Sequence, residues 1–300
     1  MRSVIFVVLA LLAMAAQPSF AALKILACEP EWGSLSKELG GDKVDVYTAT
    51  TALQDPHRIE ARPSLIARAR NADLMVCTGA ELEVGWAPLL LSQSGNPNIQ
   101  LGRPGYFEAA KQVRLIEVPT ALDRSLGDVH PLGNPHLHLD PRNIVTVAHA
   151  LSERMAEVDP ANAGYYRERG SAFEQRWKEA MARWEKQVAP LKGLSLITYH
   201  QDFNYFMNWA GIRGLGNLEP KPGLPPTTAH MSELLQSLAK NPAQAVVRTP
   251  FQDPRAAQFL ADRAKIPTIM IPYTVGGTER AKDLFGLYDD TIARLLAVAK

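Results

Sequence analysis

The amino-acid sequence predicts an α/β protein built from two parallel-sheet lobes joined by one long connecting helix. Short apolar strands alternate with amphipathic helices in the first half of the chain, and the alternation starts again after Pro190. Between the two halves, residues 161–188 carry an uninterrupted helical pattern. Continuous apolar strands separated by helices are typical of a parallel sheet that is covered on both faces. Each half is therefore expected to form one such sheet.

Composition and charge are those of a globular protein with no general affinity for polyanions. Hydrophobic residues make up 46% of the 300 residues, enough to build a core, which excludes a disordered chain. Lysine and arginine number 32 against 31 aspartates and glutamates, so no strong field would attract nucleic acid or anionic lipid. The two cysteines are too few for a cysteine-rich zinc module. Any metal chemistry must therefore rest on the seven histidines and the carboxylates.

Residues 1–21 predict a cleavable signal peptide. Arg2 precedes an apolar run over residues 4–16, which is too short to span a membrane. Small residues, Ser19 and Ala21, then occupy the −3 and −1 positions of a cleavage site. A buried N-terminal helix is disfavoured because no polar residue gives the run an amphipathic face. We expect cleavage after Ala21 and export of the mature chain to the periplasm.

Residues 22–159 are expected to form the N-terminal α/β lobe. Strands are predicted at residues 24–28, 44–48, 73–78 and 114–118, and helices at 32–39, 63–70, 81–92 and 141–158. Cys28 and Cys77 lie near the ends of two predicted strands, and parallel neighbours would bring their sulfurs within bonding reach. Because the periplasm is oxidising, a disulfide between them is predicted, although two buried free thiols fit the pattern almost as well.

Residues 160–189 are expected to form the connecting helix, and residues 190–300 the C-terminal α/β lobe. The helical stretch would be roughly 40 Å long at about 1.5 Å per residue, and Pro190 ends it. Its aromatic stripe is interpreted as packing against the two lobes. In the last lobe, strands are predicted at residues 195–199, 245–249 and 268–271, and helices at 203–210, 231–240, 254–264 and 281–300.

Three of the histidines occupy unusual positions. His57 and His136 each follow a proline in a loop, and His200 follows a predicted strand. Loops at the carboxyl ends of parallel strands meet at one edge of the sheet, where α/β proteins bind ligands. The three histidines are 79 and 64 residues apart along the chain, so both lobes would contribute. Three imidazoles and one further donor complete a tetrahedral zinc site at about 2.0–2.1 Å.

Three ordered motifs around these histidines resemble those of a known receptor family. They read DPHRIEARPS at residues 55–64, NPHLHLDP at 134–141 and YHQDFNYF at 199–206. They are similar to motifs of the metal-binding solute receptors of ABC importers, the zinc and manganese receptors with a long connecting helix. The resemblance covers the chain from about Leu23 onward and implies that His57, His136 and His200 bind the metal. The sequence departs from the family at His138, where an aromatic residue usually stands.

The sequence leaves the fourth donor open. The resembling receptors usually supply an Asp or Glu after the last strand of the C-terminal lobe, but residues 269–277 contain no acid. Glu279 is the nearest carboxylate and is the preferred candidate, followed by Asp283. His130, His138 or a water molecule remain open. A site without a carboxylate suits zinc better than manganese, because zinc takes nitrogen donors readily and manganese prefers oxygen.

The resemblance implies a monomeric binding protein, not an enzyme. As a solute-binding receptor of the metal-receptor type, it would capture a zinc ion between its lobes and deliver it to an ABC permease and its ATPase. A metallochaperone stays open as a further partner, and no nucleic acid is expected.

The alternatives are a receptor of the same family for manganese or another divalent metal, an iron-chelate or vitamin receptor on the same scaffold, and a secreted zinc hydrolase. The chelate receptor would require a larger cleft lined by arginine and aromatic side chains. The hydrolase is disfavoured because the chain contains neither a His-Glu-x-x-His nor a Gly-x-Ser-x-Gly motif.

Overall fold

The computed structural model of the protein describes residues 21–120 and 130–299. Within these residues it contains two sheets of four parallel strands, each covered by helices, and one long helix that packs against both halves. The predicted α/β class with two parallel sheets is therefore confirmed. Apart from Ala21, the predicted signal peptide lies outside the described residues. None of the described helices combines the length and the apolar character needed to cross a bilayer.

The first sheet is formed by the N-terminal half of the chain. Its strands are β1 (Leu23–Ala27), β2 (Val44–Thr48), β3 (Leu74–Cys77) and β4 (Tyr106–Glu108), in the order β2-β1-β3-β4. The helices of this half are α1 (Pro30–Gly40), α2 (Pro63–Arg70), α3 (Ala87–Ser94) and α4 (Pro141–Val158). β3 is buried along its whole length, as expected for a central strand that helices cover on both faces.

The long helix α5 (Ala163–Val188) is about 39 Å long at about 1.5 Å per residue. Its buried aromatic side chains contact both halves of the molecule. The indole N–H of Trp177 donates to the carbonyl oxygen of Pro141 at 2.8 Å, in the N-terminal half. The indole N–H of Trp184 donates to the Asp289 carboxylate at 2.6 Å, in the C-terminal half. The aromatic stripe therefore packs against the two lobes, as the sequence indicates.

The second sheet is formed after α5 and repeats the strand order of the first. Its strands are β5 (Ser195–Thr198), β6 (Arg213–Asn217), β7 (Ala245–Arg248) and β8 (Thr268–Met270), in the order β6-β5-β7-β8. The helices of this half are α6 (Asn204–Ala210), α7 (Thr228–Lys240), α8 (Pro254–Ala264) and α9 (Leu284–Val298). All strand pairs of both sheets are parallel, so the carboxyl ends of the strands in each sheet point to one edge.

Two parts of the predicted strand pattern differ from the structure. Residues 114–118 form no strand, because Glu117 has a φ of 56° and interrupts the extended backbone. The three residues of β4 pair with β3 in their place. β6 was not predicted from the sequence, because its residues RGLGN include two glycines, which are uncommon in strands.

The start of α3 also differs from the prediction of a helix over residues 81–92. The helix begins at Ala87, because Ala80 and Glu81 have φ angles of 52° and 67°, outside the helical region. The side chain of Glu83 accepts hydrogen bonds from the backbone N–H groups of Thr78 and Gly79, which stabilises this turn after β3. The turn separates the strand from the helix by nine residues.

The predicted disulfide is present between Cys28 and Cys77. The two residues lie at the carboxyl ends of the adjacent parallel strands β1 and β3, and their Cα atoms are 4.8 Å apart. Both side chains are fully buried. The alternative of two free thiols is therefore not the one that the structure adopts.

Candidate metal centre

The histidines of the predicted site come from loops of both lobes. His57 lies in the loop between β2 and α2, His136 in the segment that leads into α4, and His200 two residues after β5. Asp140 accepts a hydrogen bond from the backbone N–H of Arg142, caps α4 and thereby ends the segment that carries His136. The structure brings all three histidines together, and they are called the histidine trio below.

The three imidazole rings form a compact group. One nitrogen from each ring lies within 4.8 Å of the corresponding atoms of the other two. The ring centroids are 5.4–5.7 Å apart, and the ring planes are steeply inclined to one another. His136 is only 2% exposed, so its ring is shielded from solvent. A small inward movement would place all three nitrogens at the distance of about 2.0–2.1 Å that zinc requires.

Each ring of the histidine trio is held through its Nδ1 atom by an oxygen of a neighbouring side chain. The pairs are His57 with Asp55 at 2.8 Å, His200 with Glu219 at 2.7 Å, and His136 with the Tyr273 hydroxyl at 2.8 Å. The Nε2 atom of His136 is buried and has no hydrogen-bond partner among the described residues. Such hydrogen bonds fix the tautomer and orientation of metal-binding histidines. The trio therefore has the donor arrangement of a metal site.

Two rings of the trio have opposite pKa shifts. Burial, together with the neighbouring histidines, holds the pKa of His136 well below its usual range. Burial would also lower the pKa of His200, but its hydrogen bond to Glu219 and the nearby carboxylates outweigh burial and raise it. Because only the neutral ring binds a metal ion, the lowered pKa of His136 favours metal binding, whereas the raised pKa of His200 lets protons compete with a metal ion more strongly.

A fourth imidazole, that of His130, lies beside the trio. Its Nε2 atom is 3.3 Å from the Nε2 atom of His57, and its ring centroid is 6.4 Å from that of His136. The backbone of Ala80 hydrogen-bonds to this ring. Burial, followed by the nearby His57 and His200, lowers the pKa of His130 to about 3, so the ring is neutral at neutral pH.

The other candidates for the fourth donor do not join this group. Glu279 is exposed, and Asp283 is exposed and caps the N-terminus of α9. His138 is fully buried, with Nε2 2.9 Å from the carbonyl oxygen of Tyr273 and Nδ1 3.3 Å from the Glu31 carboxylate. Within residues 21–120 and 130–299, the nitrogens that lie within 4.8 Å of one another belong to the trio alone, so neither these three side chains nor His130 is part of that group.

Two cavities adjoin the histidine trio. The first has a volume of about 230 Å³ and is lined by all three rings, with Asp55 and Glu219 also in its wall. The second, of about 470 Å³, is lined by His130, His136 and His200. Sites for drug-sized organic ligands usually have about 300–1,000 Å³. The cavity that all three rings share is smaller than this range, whereas the second cavity lies within it.

Comparison with known proteins identifies the family. The sequence matches the family described as zinc-uptake complex component A, periplasmic, over residues 25–298. The chain belongs to this family. Members of the zinc-uptake component A family are metal-binding substrate receptors of ABC importers, which work with a permease and an ATPase, and they are not enzymes.

Individual relatives of the chain carry the names of different metals. It is 22% identical over 247 residues to the manganese ABC transporter substrate-binding lipoprotein PsaA of Streptococcus pneumoniae, covering 82% of this chain and 77% of that protein. It is 25% identical over 197 residues to the iron ABC transporter substrate-binding lipoprotein MtsA of Streptococcus pyogenes serotype M1. This match covers 63% of this chain and 60% of that protein. These relatives are all ABC transporter substrate-binding proteins, and their names differ in the metal.

Solved structures share the fold. A crystal structure of ZnuA aligns with a TM-score of 0.70 at 19% identity, over 93% of this chain and 96% of that one. A Mn-bound periplasmic metal binding protein from Candidatus Liberibacter asiaticus aligns with a TM-score of 0.75 at 15% identity. The alignment covers 92% of this chain and 99% of that one. At these identities the likeness establishes the architecture of the zinc-uptake component A family and no more.

Sequence reasoning missed the groups that hold the trio. Asp55 stands two residues before His57, and this local Asp-Pro-His pattern could have indicated it. Glu219 is 19 residues from its partner His200, and Tyr273 is 137 residues from His136. Local patterns in this sequence do not indicate such distant partners, because only the packing of the lobes brings them together.

Proposed function

We propose that this receptor is periplasmic, holds one Zn²⁺ ion between its two lobes and delivers it to an ABC permease driven by an ATPase. The observation that carries the proposal is the convergence of His57, His136 and His200, a group that contains no carboxylate among the described residues. Neutral imidazole nitrogens are favourable donors for zinc. Manganese prefers carboxylate, carbonyl and water oxygens, so the donor set supports zinc as the cargo.

The charges around the trio support a divalent cation as the ligand. The carboxylates of Asp55 and Glu219 are hydrogen-bonded to the outer nitrogens of His57 and His200. In this arrangement the two negative charges balance the double positive charge of the ion without touching it. A carboxylate behind a metal-binding histidine also makes the imidazole a stronger donor.

The ion would connect the two lobes. His57 and His136 belong to the N-terminal half, whereas His200 and Tyr273, which holds the His136 ring, belong to the C-terminal half. An ion bound by rings from both halves favours the closed arrangement, because its affinity for that state is higher. Since α5 is anchored to both halves, we expect a small opening, through loop movement or a modest tilt of one lobe.

The periplasmic location is supported by two features of the N-terminal half. The predicted signal peptide would export the chain, and the buried disulfide between Cys28 and Cys77 is typical of an oxidising compartment. The lipoproteins among its relatives are likewise substrate-binding components of ABC transporters. A monomer that meets its permease at the membrane fits these features.

A receptor for manganese or iron is the second candidate. It is favoured by the names of two relatives, one a manganese protein and the other an iron protein. The two candidates differ in the donor atoms they require, since manganese favours an oxygen-rich site. The ratio of zinc affinity to manganese affinity therefore discriminates between them.

Competitive titration against a chromogenic chelator, with zinc, manganese, iron(II) under anaerobic conditions and copper, tests the proposal. We expect one zinc ion per chain and an affinity for zinc that exceeds the affinity for manganese by orders of magnitude. Copper is included because it stands above zinc in the Irving–Williams order. The control combines His57→Ala, His136→Ala and His200→Ala and should bind no zinc at the site. Manganese or iron affinity equal to that of zinc would favour the second candidate, and a wild-type chain that binds no metal would reject both.

A further inference from the structure

We propose that His130 is the fourth metal-binding side chain, so that the cargo ion is held by four imidazoles and no carboxylate. The inference rests on the proposed function, because it assumes that the histidine trio binds zinc. It concerns a residue outside the three motifs that carry the family resemblance. It also assigns the fourth ligand position of the ion, for which residues 269–277 supply no Asp or Glu.

The first argument is the distance between the two imidazoles. The Nε2 atoms of His57 and His130 are 3.3 Å apart. Two ligands at about 2.0–2.1 Å from a tetrahedral ion are separated by about 3.3–3.4 Å, because the edge of a tetrahedron is about 1.6 times its centre-to-corner distance. The two nitrogens therefore already stand at the separation that a shared zinc ion requires.

The second argument is the position of the His130 ring relative to the trio. Its centroid is 5.3 Å from that of His57, slightly less than the separations of 5.4–5.7 Å inside the trio, and 6.4 Å from that of His136. It lines the second cavity together with His136 and His200.

The third argument is the local charge. Asp55 and Glu219 already supply two negative charges directly behind His57 and His200. A fourth ligand that is neutral leaves the ion and these two carboxylates balanced, whereas a carboxylate ligand would add an excess negative charge to a buried site, which is costly. A neutral imidazole is therefore the better complement to this arrangement.

Asp202 is the strongest competitor for the fourth position. It lines the first cavity, and its Oδ1 atom is buried without a hydrogen-bond partner. Its other oxygen accepts a hydrogen bond from Gln252 at 3.0 Å, which directs the carboxylate toward that side chain. Among the ion pairs of the described residues, none joins Asp202 to a ring of the trio, whereas His130 is within 3.3 Å of one.

The donor count can be measured directly. Zinc-edge X-ray absorption of the full mature chain with one zinc ion bound counts the imidazoles around the ion through their outer ring atoms. We expect four imidazoles in the wild-type protein and three in His130→Ala. Zinc affinity, measured by chelator competition, should fall at least about tenfold in His130→Ala, since even the outer partners of metal-binding histidines contribute about 10–100-fold.

A conservative change and a matched control sharpen the test. His130→Asp supplies an oxygen in place of the nitrogen, so the preference for zinc over manganese should fall by about tenfold or more. His149→Ala removes an exposed histidine whose ring pairs with Glu174, and should change neither the imidazole count nor the affinity. Circular dichroism of each variant confirms that the fold is retained.

Three imidazoles in the wild-type protein, with unchanged affinity in His130→Ala, would overturn the assignment of His130. The same result combined with a loss of binding in His57→Ala would leave the proposed function intact. If Asp202→Asn rather than His130→Ala changed the donor set, the fourth position would belong to Asp202. A wild-type protein without zinc affinity would overturn both this inference and the proposed function.

Discussion

The two lobes share one sheet topology but contribute differently to the metal centre. Both sheets place the first strand between the second and the third, with the fourth strand at the edge. The N-terminal lobe carries the disulfide and supplies His57 and His136, whereas the C-terminal lobe supplies His200 and the oxygens of Glu219 and Tyr273 that hold the rings. The topology thus determines where the loops meet, and a few loop residues determine what they can bind.

The contrast is sharpest between His136 and His200. The first ring is held by a neutral hydroxyl in a fully buried position, and its pKa is lowered. The second is held by a carboxylate, and its pKa is raised despite burial. The pKa values of the two rings are therefore shifted in opposite directions, because their supporting groups differ in charge.

The largest expected effect is a loss of stability when the disulfide of the N-terminal lobe is removed. Replacing both cysteines, by Cys28→Ala and Cys77→Ala, should lower the free energy of unfolding by about 4 kcal/mol, because the disulfide closes a loop of some 49 residues and restricts the unfolded chain. Denaturant unfolding of the wild-type and variant proteins measures the difference. Two free thiols in unreduced, denatured wild-type protein, detected by mass-shift labelling, would contradict the pairing.

The next effect tests whether both lobes bind the ion. His57→Ala, His136→Ala and His200→Ala should each weaken zinc binding by at least about tenfold, because each removes one of the converging nitrogens. Isothermal titration of each variant measures the loss, with His149→Ala as the exposed control. Wild-type affinity in any one of the three variants would remove that residue from the site.

A smaller effect tests the hydroxyl that holds His136. Tyr273→Phe keeps the buried ring but removes the hydrogen bond to Nδ1, so zinc affinity should fall by about tenfold, the lower end of the range for such partners. Tyr165→Phe is the matched control, because its hydroxyl contacts Asp42 in an exposed position. If both variants bound zinc like the wild type, Tyr273 would have a packing role only.

The smallest effect tests the carboxylate that holds His200. The raised pKa of His200 means that a proton competes with zinc at pH values above the ordinary imidazole pKa of about 6.5, so affinity should fall as the pH drops through that raised value. Glu219→Gln removes the main cause of the raised pKa and should move this loss of affinity to lower pH. Chelator competition over a pH series measures both curves. Identical curves for the two proteins would show that Glu219 does not set the protonation of His200.

Local sequence patterns predicted the architecture because each element carries its own signal. The apolar runs of β1 and β3 indicate buried strands, and the helical pattern over residues 161–188 indicates α5. β4 and β6 were not predicted, because their own residues carry no clear strand signal. β4 has only three residues and β6 contains two glycines, so pairing with a neighbouring strand, and not local preference, makes each of them extended.

By itself, the sequence determined the α/β class and the three histidine motifs, because each depends on residues close together in the chain. For Cys28 and Cys77 it left both a disulfide and two free thiols open, because the two residues are 49 positions apart. Only the tertiary structure decided which groups lie beside these histidines. Tyr273 reaches His136 across 137 residues, and His130 reaches His57 across 73. Such contacts depend on how the two lobes pack around α5, and no periodicity or short motif encodes that packing.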